Sequence, residues 1–195
     1  MTPLQSSSST TTATQQFKDD MHFEIRQYRL EDRNQVLKLV AEGLLQNEPE
    51  GHPRHEFWVQ YVSDGLPDVE DIPGHYLRDG SNFFIMTTTT TSGKDSAAPI
   101  IIATTGIERK SDSTAEVRRV SVKDEFRRFG VGRMLMHHVH EWAKSELKYE
   151  KIVVCNCATH FHAVKFYDSL GYQFVKNSRW TVNPDVEVNH MEKYL

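Results

Sequence analysis

The feature that most constrains the fold is a strand–turn–helix unit centred on residues 127–132, Arg-Arg-Phe-Gly-Val-Gly. Residues 115–122, just before it, are rich in β-branched side chains, which indicates a strand. After it, apolar residues recur at helical spacing from Val131 to Leu147, which indicates an amphipathic helix. A helix that begins at a glycine turn points unpaired backbone N–H groups and its positive dipole end at one place. The pattern therefore predicts an anion site there.

The side chains of this turn suit a polyphosphate. Gly130 and Gly132 lack the Cβ atoms that would hold a phosphate away from the backbone, and nearby arginines supply positive charge. Two better-known phosphate loops do not fit, because no Lys-Ser/Thr pair follows the glycines and no third glycine stands in register. The predicted binding residues are Arg127, Arg128, Phe129, Gly130, Val131, Gly132 and Arg133.

A second strand–helix unit follows the first. Residues 151–155 form a continuous apolar run, which is typical of a strand covered on both faces. A short helix then carries four apolar residues on one side and ends at Gly171, a common helix C-terminal residue. Those four residues are Ala163, Phe166, Tyr167 and Leu170.

Three segments together resemble the acetyl-CoA-binding core of the GNAT superfamily of N-acetyltransferases. They are Glu116 to Val122, Arg127-x-x-Gly130-x-Gly132, and Ala163-x-x-Phe166-Tyr167-x-x-x-Gly171-Tyr172. The resemblance implies a mixed α/β fold whose central, mostly antiparallel sheet splays at its middle and is flanked by helices. Residues 23–28, 120–122 and 166–172 are most similar to the camello-type branch, which includes cysteine-conjugate N-acetyltransferases. Those relatives carry a membrane segment near the front of the domain, and no apolar run here is long enough to span a bilayer.

The valines of the strand before the turn change phase once. Val117 and Val120 are three residues apart, whereas Val120 and Val122 are two apart, and a β-bulge produces such a slip. The resemblance implies that the bulge separates this strand from the next. The acetyl-pantetheine arm of the co-substrate, acetyl-CoA, would enter the gap and pair with the backbone of Val120 and Val122. The N–H near Val120 would stabilise the developing oxyanion.

Two side chains are predicted to move protons. Tyr167 occupies the position of a tyrosine that protonates the departing CoA thiolate in many GNAT enzymes. Glu116 occupies a position from which several GNAT enzymes draw a general base, which an amine needs because it is protonated at neutral pH. Two alternatives stay open: Tyr167 as a packed helix tyrosine, and Glu116 as the ion-pair partner of Arg118 or Arg119. His160 stands where many members have an asparagine facing the cofactor.

A metal site is the rival interpretation of two histidine-containing patterns. Residues 155–162 hold two cysteines and two histidines, but their strand and helix phases differ, so one metal could hardly collect all four. His137, His140 and Glu141 share a helix face, for which a solvated histidine-rich face is the favoured interpretation. We therefore predict no metal.

The acceptor side is the least diagnostic part of the chain. Helices are predicted over residues 31–46 and 54–64, and residues 64–80 are predicted to be an acidic loop that favours a cationic acceptor. Strands are predicted at 23–29, 83–86 and 99–110, with a polar connection over 87–98, and a C-terminal hairpin turns at residues 183–185. Acceptor-pocket candidates are His52, His55, Trp58 and Tyr61, for which packing in the core is the alternative, and Trp180 and His190, for which an oligomer contact is the alternative.

Length and charge bound the remaining possibilities. Residues 1–20 are a Ser/Thr-rich segment with almost nothing to bury, so we expect a disordered tail before one domain over 21–195. A net charge of −4 gives no basis for nucleic-acid binding. The sequence shows neither a signal pattern nor an apolar run long enough to span a membrane. Its two cysteines are two residues apart and cannot form a disulfide bond between distant segments. A cytoplasmic or nuclear setting is therefore expected. A homodimer is left open.

The sequence thus predicts direct transfer of acetyl from acetyl-CoA to a primary amine. The acceptor stays open among cysteine conjugates, polyamines, amino sugar phosphates, amino acids and protein amines. The acyl group itself could also be larger than acetyl. An alternative from another class is a CoA-binding regulatory module that lacks catalysis.

Overall fold

The chain is organised around one seven-stranded sheet, and the computed structural model describes residues 21–46, 48–90 and 99–195. The predicted tail, residues 1–20, and most of the predicted polar connection, residues 91–98, lie outside the described residues. The strands are β1 (Met21–Gln27), β2 (Asn82–Thr90), β3 (Ile100–Arg109), β4 (Thr114–Val122), β5 (Lys151–Cys157), β6 (Gln173–Thr181) and β7 (Val186–Tyr194). Their order is β1-β2-β3-β4-β5-β7-β6, and every neighbouring pair is antiparallel except β4–β5. The predicted mostly antiparallel sheet is confirmed.

Helices cover both faces of this sheet. They are α1 (Arg33–Leu45), α2 (Pro53–Ser63), α3 (Pro67–Glu70), α4 (Ile72–His75), α5 (Val131–Ser145) and α6 (Phe161–Ser169). One core lies between the sheet and α1, α3 and α4, and includes Tyr76 and Phe83. The other lies between the sheet, α5 and α6, and includes Leu135 and Ile152. The sheet is therefore the middle of three layers.

Strand boundaries differ from the predicted ones where threonine or cysteine extends an apolar run. Residues 87–90, predicted to begin a connection, continue β2, and Thr87 and Thr88 are buried in it. Threonine is β-branched and suits a strand, so a polar composition was a poor guide here. β5 alternates buried Ile152 and Val154 with more open positions and reaches Cys157, so the prediction of a strand covered on both faces is wrong.

The acidic segment over residues 64–80 was predicted to be a loop but contains α3 and α4. Pro67 is the first residue of α3, and Pro73 lies in the first turn of α4. Proline needs no hydrogen-bond acceptor in a first turn, so it starts a helix there as readily as it ends one. Asp71 accepts a hydrogen bond from the Gly74 N–H at 3.0 Å and so begins α4.

The predicted solvated histidine face of α5 is also corrected. His137 is exposed, but His140 is 5% exposed and lies within hydrogen-bonding distance of the Tyr172 hydroxyl, at 2.9 Å from Nε2. Burial, with smaller contributions from the positive charges of Lys193 and His137, lowers the pKa of His140 to about 4. His140 is therefore a neutral core residue at physiological pH.

The buried His140 predicts a pH-dependent stability. Its pKa is lower in the folded than in the unfolded state, so between about pH 6.5 and 4 the unfolded state binds more protons. Acidification through that window should remove roughly 3 kcal/mol of the free energy of unfolding. Urea unfolding at a series of pH values measures it. His140→Gln should flatten the curve between pH 6.5 and 5, and the exposed-site control His162→Gln should keep the wild-type slope. Identical slopes in all three proteins would contradict the assignment.

Candidate active site

The central strands separate at the middle of the sheet. β4 and β5 pair in parallel from Thr114↔Lys151 to Val117↔Val154 and no further. Beyond that point β4 continues along β3 to Val122, while β5 continues along β7 to Cys157. A cavity of about 570 Å³ opens here, with Val120 on one side and Cys155 and Cys157 on the other. The predicted splay is therefore confirmed.

A β-bulge accompanies this separation, as the valine spacing predicted. Gly106 of β3 faces Arg118, but Thr104 faces Ser121, so Arg119 and Val120 together oppose one residue. Arg119 has a φ of 55°, in the left-handed region that non-glycine residues rarely adopt. The extra residue bends β4 and ends its pairing with β5.

A buried ion pair holds the unusual backbone of Arg119. Its guanidinium donates to both carboxylate oxygens of Asp68, with Nε–Oδ2 at 2.8 Å and Nη2–Oδ1 at 2.7 Å. The Tyr76 hydroxyl donates to the same Asp68 at 2.7 Å, and Thr104 donates to the Arg119 carbonyl at 3.0 Å. Burial alone would raise the pKa of Asp68, but the hydrogen bonds and charge of Arg119 outweigh it and lower that pKa. The bulge is thus held from both its side chain and its backbone.

This pair alters the expectation of a cationic acceptor. Asp68 is 6% exposed and already neutralised by Arg119, and Glu70 accepts a hydrogen bond from the Leu66 N–H at 3.0 Å. Together with Asp71 at the start of α4, these carboxylates serve local structure, and none of them lines the cavity. The acidic composition of residues 64–80 therefore gives no support for a cationic acceptor.

The predicted anion site lies at the start of α5. Gly130 has a φ of 79°, and the first helical hydrogen bond runs from the Met134 N–H to the Gly130 carbonyl at 2.9 Å. The N–H groups of the first turn therefore have no acceptor within the helix. A Cβ on Gly130 would meet nothing within 4 Å, so this glycine serves the backbone conformation and leaves the turn open.

Other residues of the turn have structural contacts that refine their predicted roles. A Cβ on Gly132 would approach Val122 at 3.3 Å and Phe166 at 3.4 Å, so this glycine allows close packing rather than clearing room for phosphate. Val131 is 1% exposed, which leaves only its backbone for an anion. Phe129 is half-buried against the core beneath α5.

The three arginines of this turn differ in their contacts. Arg127 donates to the Val122 carbonyl at 3.2 Å, which engages one of the backbone groups predicted to pair with the cofactor. Arg133 donates to the Ser169 carbonyl and hydroxyl, at 3.1 and 2.8 Å, and so ties α5 to α6. Arg128 is exposed, with a φ of 72°. All three keep positive charge at the turn.

Tyr167 lies on α6 and lines the cavity. Its ring packs near those of Phe166 and Tyr172, with both centroids 5.4 Å away. The residue is 6% exposed, and burial raises the pKa of its phenol. It therefore carries its proton at neutral pH, as a proton donor must.

Glu116 lies on β4 and also lines the cavity. Its Oε2 is 3.1 Å from Lys110 Nζ. The predicted ion-pair alternatives are wrong in their partners, because Arg118 pairs with Glu108 and Arg119 with Asp68. Glu116 therefore lines the cavity and also forms an ion pair with Lys110.

Aromatic residues form one wall of the cavity. Trp58 and Tyr61 of α2 contact Trp180 of β6, and the ring centroids are 5.5 to 5.6 Å apart in all three pairings. His52 and His55 lie elsewhere: His52 Nδ1 accepts from the Arg54 N–H, and the His55 Nδ1 bonds with the Glu48 carbonyl. Four of the six acceptor-pocket candidates therefore line the cavity, including His190.

One group beside the cavity was not predicted. The Cys157 Sγ lies 3.2 Å from Thr159 Oγ1, which donates to Glu48 at 3.1 Å. Burial alone would raise the pKa of the Cys157 thiol, but hydrogen bonds from His160 and Thr159 lower it. His160 and Asn156 both line the cavity. Glu48 is too far along the sequence from Thr159 for any local pattern to associate them.

The described residues contain no group of three or more acidic, cysteine or histidine side chains placed to hold a metal ion. Across that same part of the chain, every helix is too short or too polar to cross a membrane.

The Asp68–Arg119 pair yields a stability prediction. Asp68→Asn should lower the free energy of unfolding by about 3 kcal/mol, because it leaves the largely buried charge of Arg119 without an anionic partner. Urea unfolding measures the loss. Asp71→Asn, on the same segment, is the matched control and should be nearly neutral, because asparagine begins a helix as well as aspartate does. Equal losses in the two variants would show that the ion pair does not carry this stability.

Comparison with known proteins agrees with this geometry. Residues 92–174 match the acetyltransferase (GNAT) domain family. An N-acetylaspartate synthetase of Danio rerio is 28% identical over 127 residues, which cover 65% of this chain but 42% of that protein, so the chain spans well under half of this curated relative.

Solved structures share the fold across most of the chain. A GNAT-family acetyltransferase of Staphylococcus aureus superimposes with a TM-score of 0.69 at 19% identity, covering 89% of this chain and 99% of the other. A spermidine N-acetyltransferase of Vibrio cholerae, in complex with CoA and spermine, has a TM-score of 0.59 at 14% identity, covering 88% and 95%. Residues 92–174 are therefore similar in sequence to the GNAT acetyltransferase domain, and the chain shares the fold of these solved acetyltransferases.

Proposed function

We propose that the protein transfers an acetyl group from acetyl-CoA directly to a primary amine. The observation that carries this proposal is the proximity of three features to the end of β4, where Arg127 of the turn donates to the Val122 carbonyl and Gly132 packs against Val122 and Phe166. The N-terminus of α5 offers unpaired N–H groups, the split between β4 and β5 leaves Val120 without a partner on that side, and Tyr167 lies at the cavity. A polyphosphate, an extended amide chain and a thioester would meet these features in the order in which they occur in acetyl-CoA.

The residues fit such a co-substrate chemically. The α5 turn, with Arg128 exposed beside it, would hold the diphosphate. Backbone groups at the bulge would bind the pantetheine amides, and Val120 would donate its N–H to the thioester oxygen. Because Arg127 engages the Val122 carbonyl, we assign the first strand contact to Val120 rather than equally to both valines.

The transfer needs two proton movements. The amine nitrogen forms a bond to the acetyl carbon, and the bond from that carbon to the CoA sulfur breaks. Glu116 accepts the proton that the amine loses, directly or through water, and Tyr167 donates a proton to the departing thiolate. Holding the amine against the thioester would supply much of the acceleration, as in other two-substrate reactions.

The names of the relatives include an amino-acid product, a polyamine and a ribosomal-protein alanine as acetylation targets, so they do not select one acceptor. We infer acetyl rather than a larger acyl group from the family. We infer a reducing compartment because both cysteines, Cys155 and Cys157, are free. Membership of the camello-type branch and a homodimer stay predictions from the sequence.

Tyr167→Phe tests the acid role. The change removes one oxygen from a packed ring, so turnover should fall by about 100-fold or more while acetyl-CoA still protects the protein against thermal unfolding. Release of CoA thiol with a panel of amines measures turnover. Tyr28→Phe, another buried tyrosine but outside the cavity, is the control and should keep wild-type turnover. Thermal protection of the wild type without turnover on any amine would instead favour the regulatory module, and no protection would remove the co-substrate site.

Glu116→Gln tests the base role, with Lys110→Met as its companion. If Glu116 accepts the proton, Glu116→Gln should lower kcat by about 100-fold, and Lys110→Met should keep at least part of that activity because the carboxylate remains. Raising the pH should partly rescue Glu116→Gln, since more of the amine is then unprotonated. Losses of the same size in both variants, without rescue at high pH, would assign Glu116 to the ion pair alone.

A further inference from the structure

The cavity is lined by more basic than acidic side chains. Arg118, Arg119 and Arg179 all line it, whereas Glu116 is its one acidic side chain among the described residues. A polyamine acceptor would need several carboxylates to balance its charges, and those of residues 64–80 are engaged elsewhere. Arg119 and Arg179 are paired with Asp68 and Asp185, so Arg118 is the arginine whose charge favours an acceptor that carries negative charge.

Arg118 is the arginine best placed to bind such a charge. Two hydrogen bonds to Asp68 occupy the guanidinium of Arg119. Arg179 pairs with Asp185 at the exposed rim of the cavity. Arg118 makes a single side-chain contact, to Glu108 at 3.3 Å. Most of its five guanidinium donors thus have no partner within the described part of the chain, and such a fork suits a carboxylate.

Glu108 itself has partners besides Arg118. Arg78 donates to its Oε1 at 2.8 Å, and His75 lies 3.7 Å from the same oxygen. The contact of Arg118 is the longer of the two arginine contacts. Arg118 could therefore turn to a new carboxylate without leaving Glu108 unpaired.

The spacing of Arg118 and Glu116 sets the length of the acceptor. Residues two apart on a strand project from the same face, about 6.6 Å apart along it. Glu116 is the proposed proton acceptor for the amine, so a carboxylate bound to Arg118 lies close to that amine. In an α-amino acid, one carbon atom separates the two groups, which suits neighbouring side chains on one strand.

The aromatic wall indicates the remaining part of the acceptor. Tyr61 contacts Trp58 and Trp180 edge to face, the rings of Trp58 and Trp180 are tilted by 40°, and all three residues line the cavity. Trp180 is 47% exposed, so an apolar group that covers it gains by leaving water.

We propose that the acceptor is an α-amino acid with an apolar or aromatic side chain, whose carboxylate binds Arg118 and whose side chain packs against Trp58, Tyr61 and Trp180. This inference rests on the proposed acetyl transfer and adds the class of acceptor. Arg118 is then the residue that determines specificity, and it distinguishes an amino acid from the amine that lacks only the carboxylate.

The test compares L-phenylalanine with 2-phenylethylamine, which lacks the carboxylate. CoA release is followed for the wild type, Arg118→Gln and the control Arg78→Gln, which removes the other arginine contact of Glu108 but lies outside the cavity. The wild type should prefer phenylalanine. Arg118→Gln should lower kcat/KM for phenylalanine by about 10- to 100-fold and change that for 2-phenylethylamine by less than about threefold. Arg78→Gln should preserve the wild-type preference.

A second variant distinguishes loss of the carboxylate contact from misfolding of the protein. Arg118→Lys keeps the charge but loses the planar fork, so its loss on phenylalanine should be intermediate. Equal losses on both substrates, or a wild type that uses 2-phenylethylamine or spermidine better than phenylalanine, would overturn the inference while leaving acetyl transfer intact. Absence of turnover with every amine, despite protection by acetyl-CoA, would instead overturn the proposed function and this inference with it.

Discussion

The buried ion pair between Asp68 and Arg119 is the interaction on which the site depends. It holds a non-glycine residue at a positive φ within a strand, a conformation that costs free energy unless the surroundings enforce it. The bulge that results ends the pairing of β4 with β5 and opens the cavity. Because Asp68 belongs to α3, the helical layer on one side of the sheet fixes the shape of the sheet itself.

The two faces of the sheet supply different parts of the candidate site. α5 and α6 lie on one face and position the turn proposed to bind an anion and Tyr167, and Arg133 ties these helices together through Ser169. α1 to α4 lie towards the other face and supply the aromatic wall and the support of the bulge. The gap between β4 and β5 lies where these two sets of elements meet, and the proposed transfer would take place there.

The same arrangement explains the distribution of charge. Carboxylates that look available in the sequence serve as helix caps and ion-pair partners once the chain is folded, whereas arginines of β4 and β6 remain at the cavity. Composition alone suggested a cationic acceptor, whereas the inference drawn from Arg118 is an acceptor with a carboxylate. Burial and pairing decide which charges a ligand meets, because a neutralised charge exerts little field beyond its partner.

Local patterns in the sequence determined much of the fold and part of the site. The bulge followed from the phase of three valines, the start of α5 from its glycine, and the place of Tyr167 on α6 from helical spacing. These are short-range features, and backbone geometry fixes them within a few residues. Only the tertiary structure decided that Glu116 pairs with Lys110, that Asp68 supports Arg119, that Glu48 reaches Thr159 and that His140 is buried. Each of those depends on side chains that the folded sheet brings together from separate elements or turns towards its core, and no periodicity of a single strand or helix records such contacts.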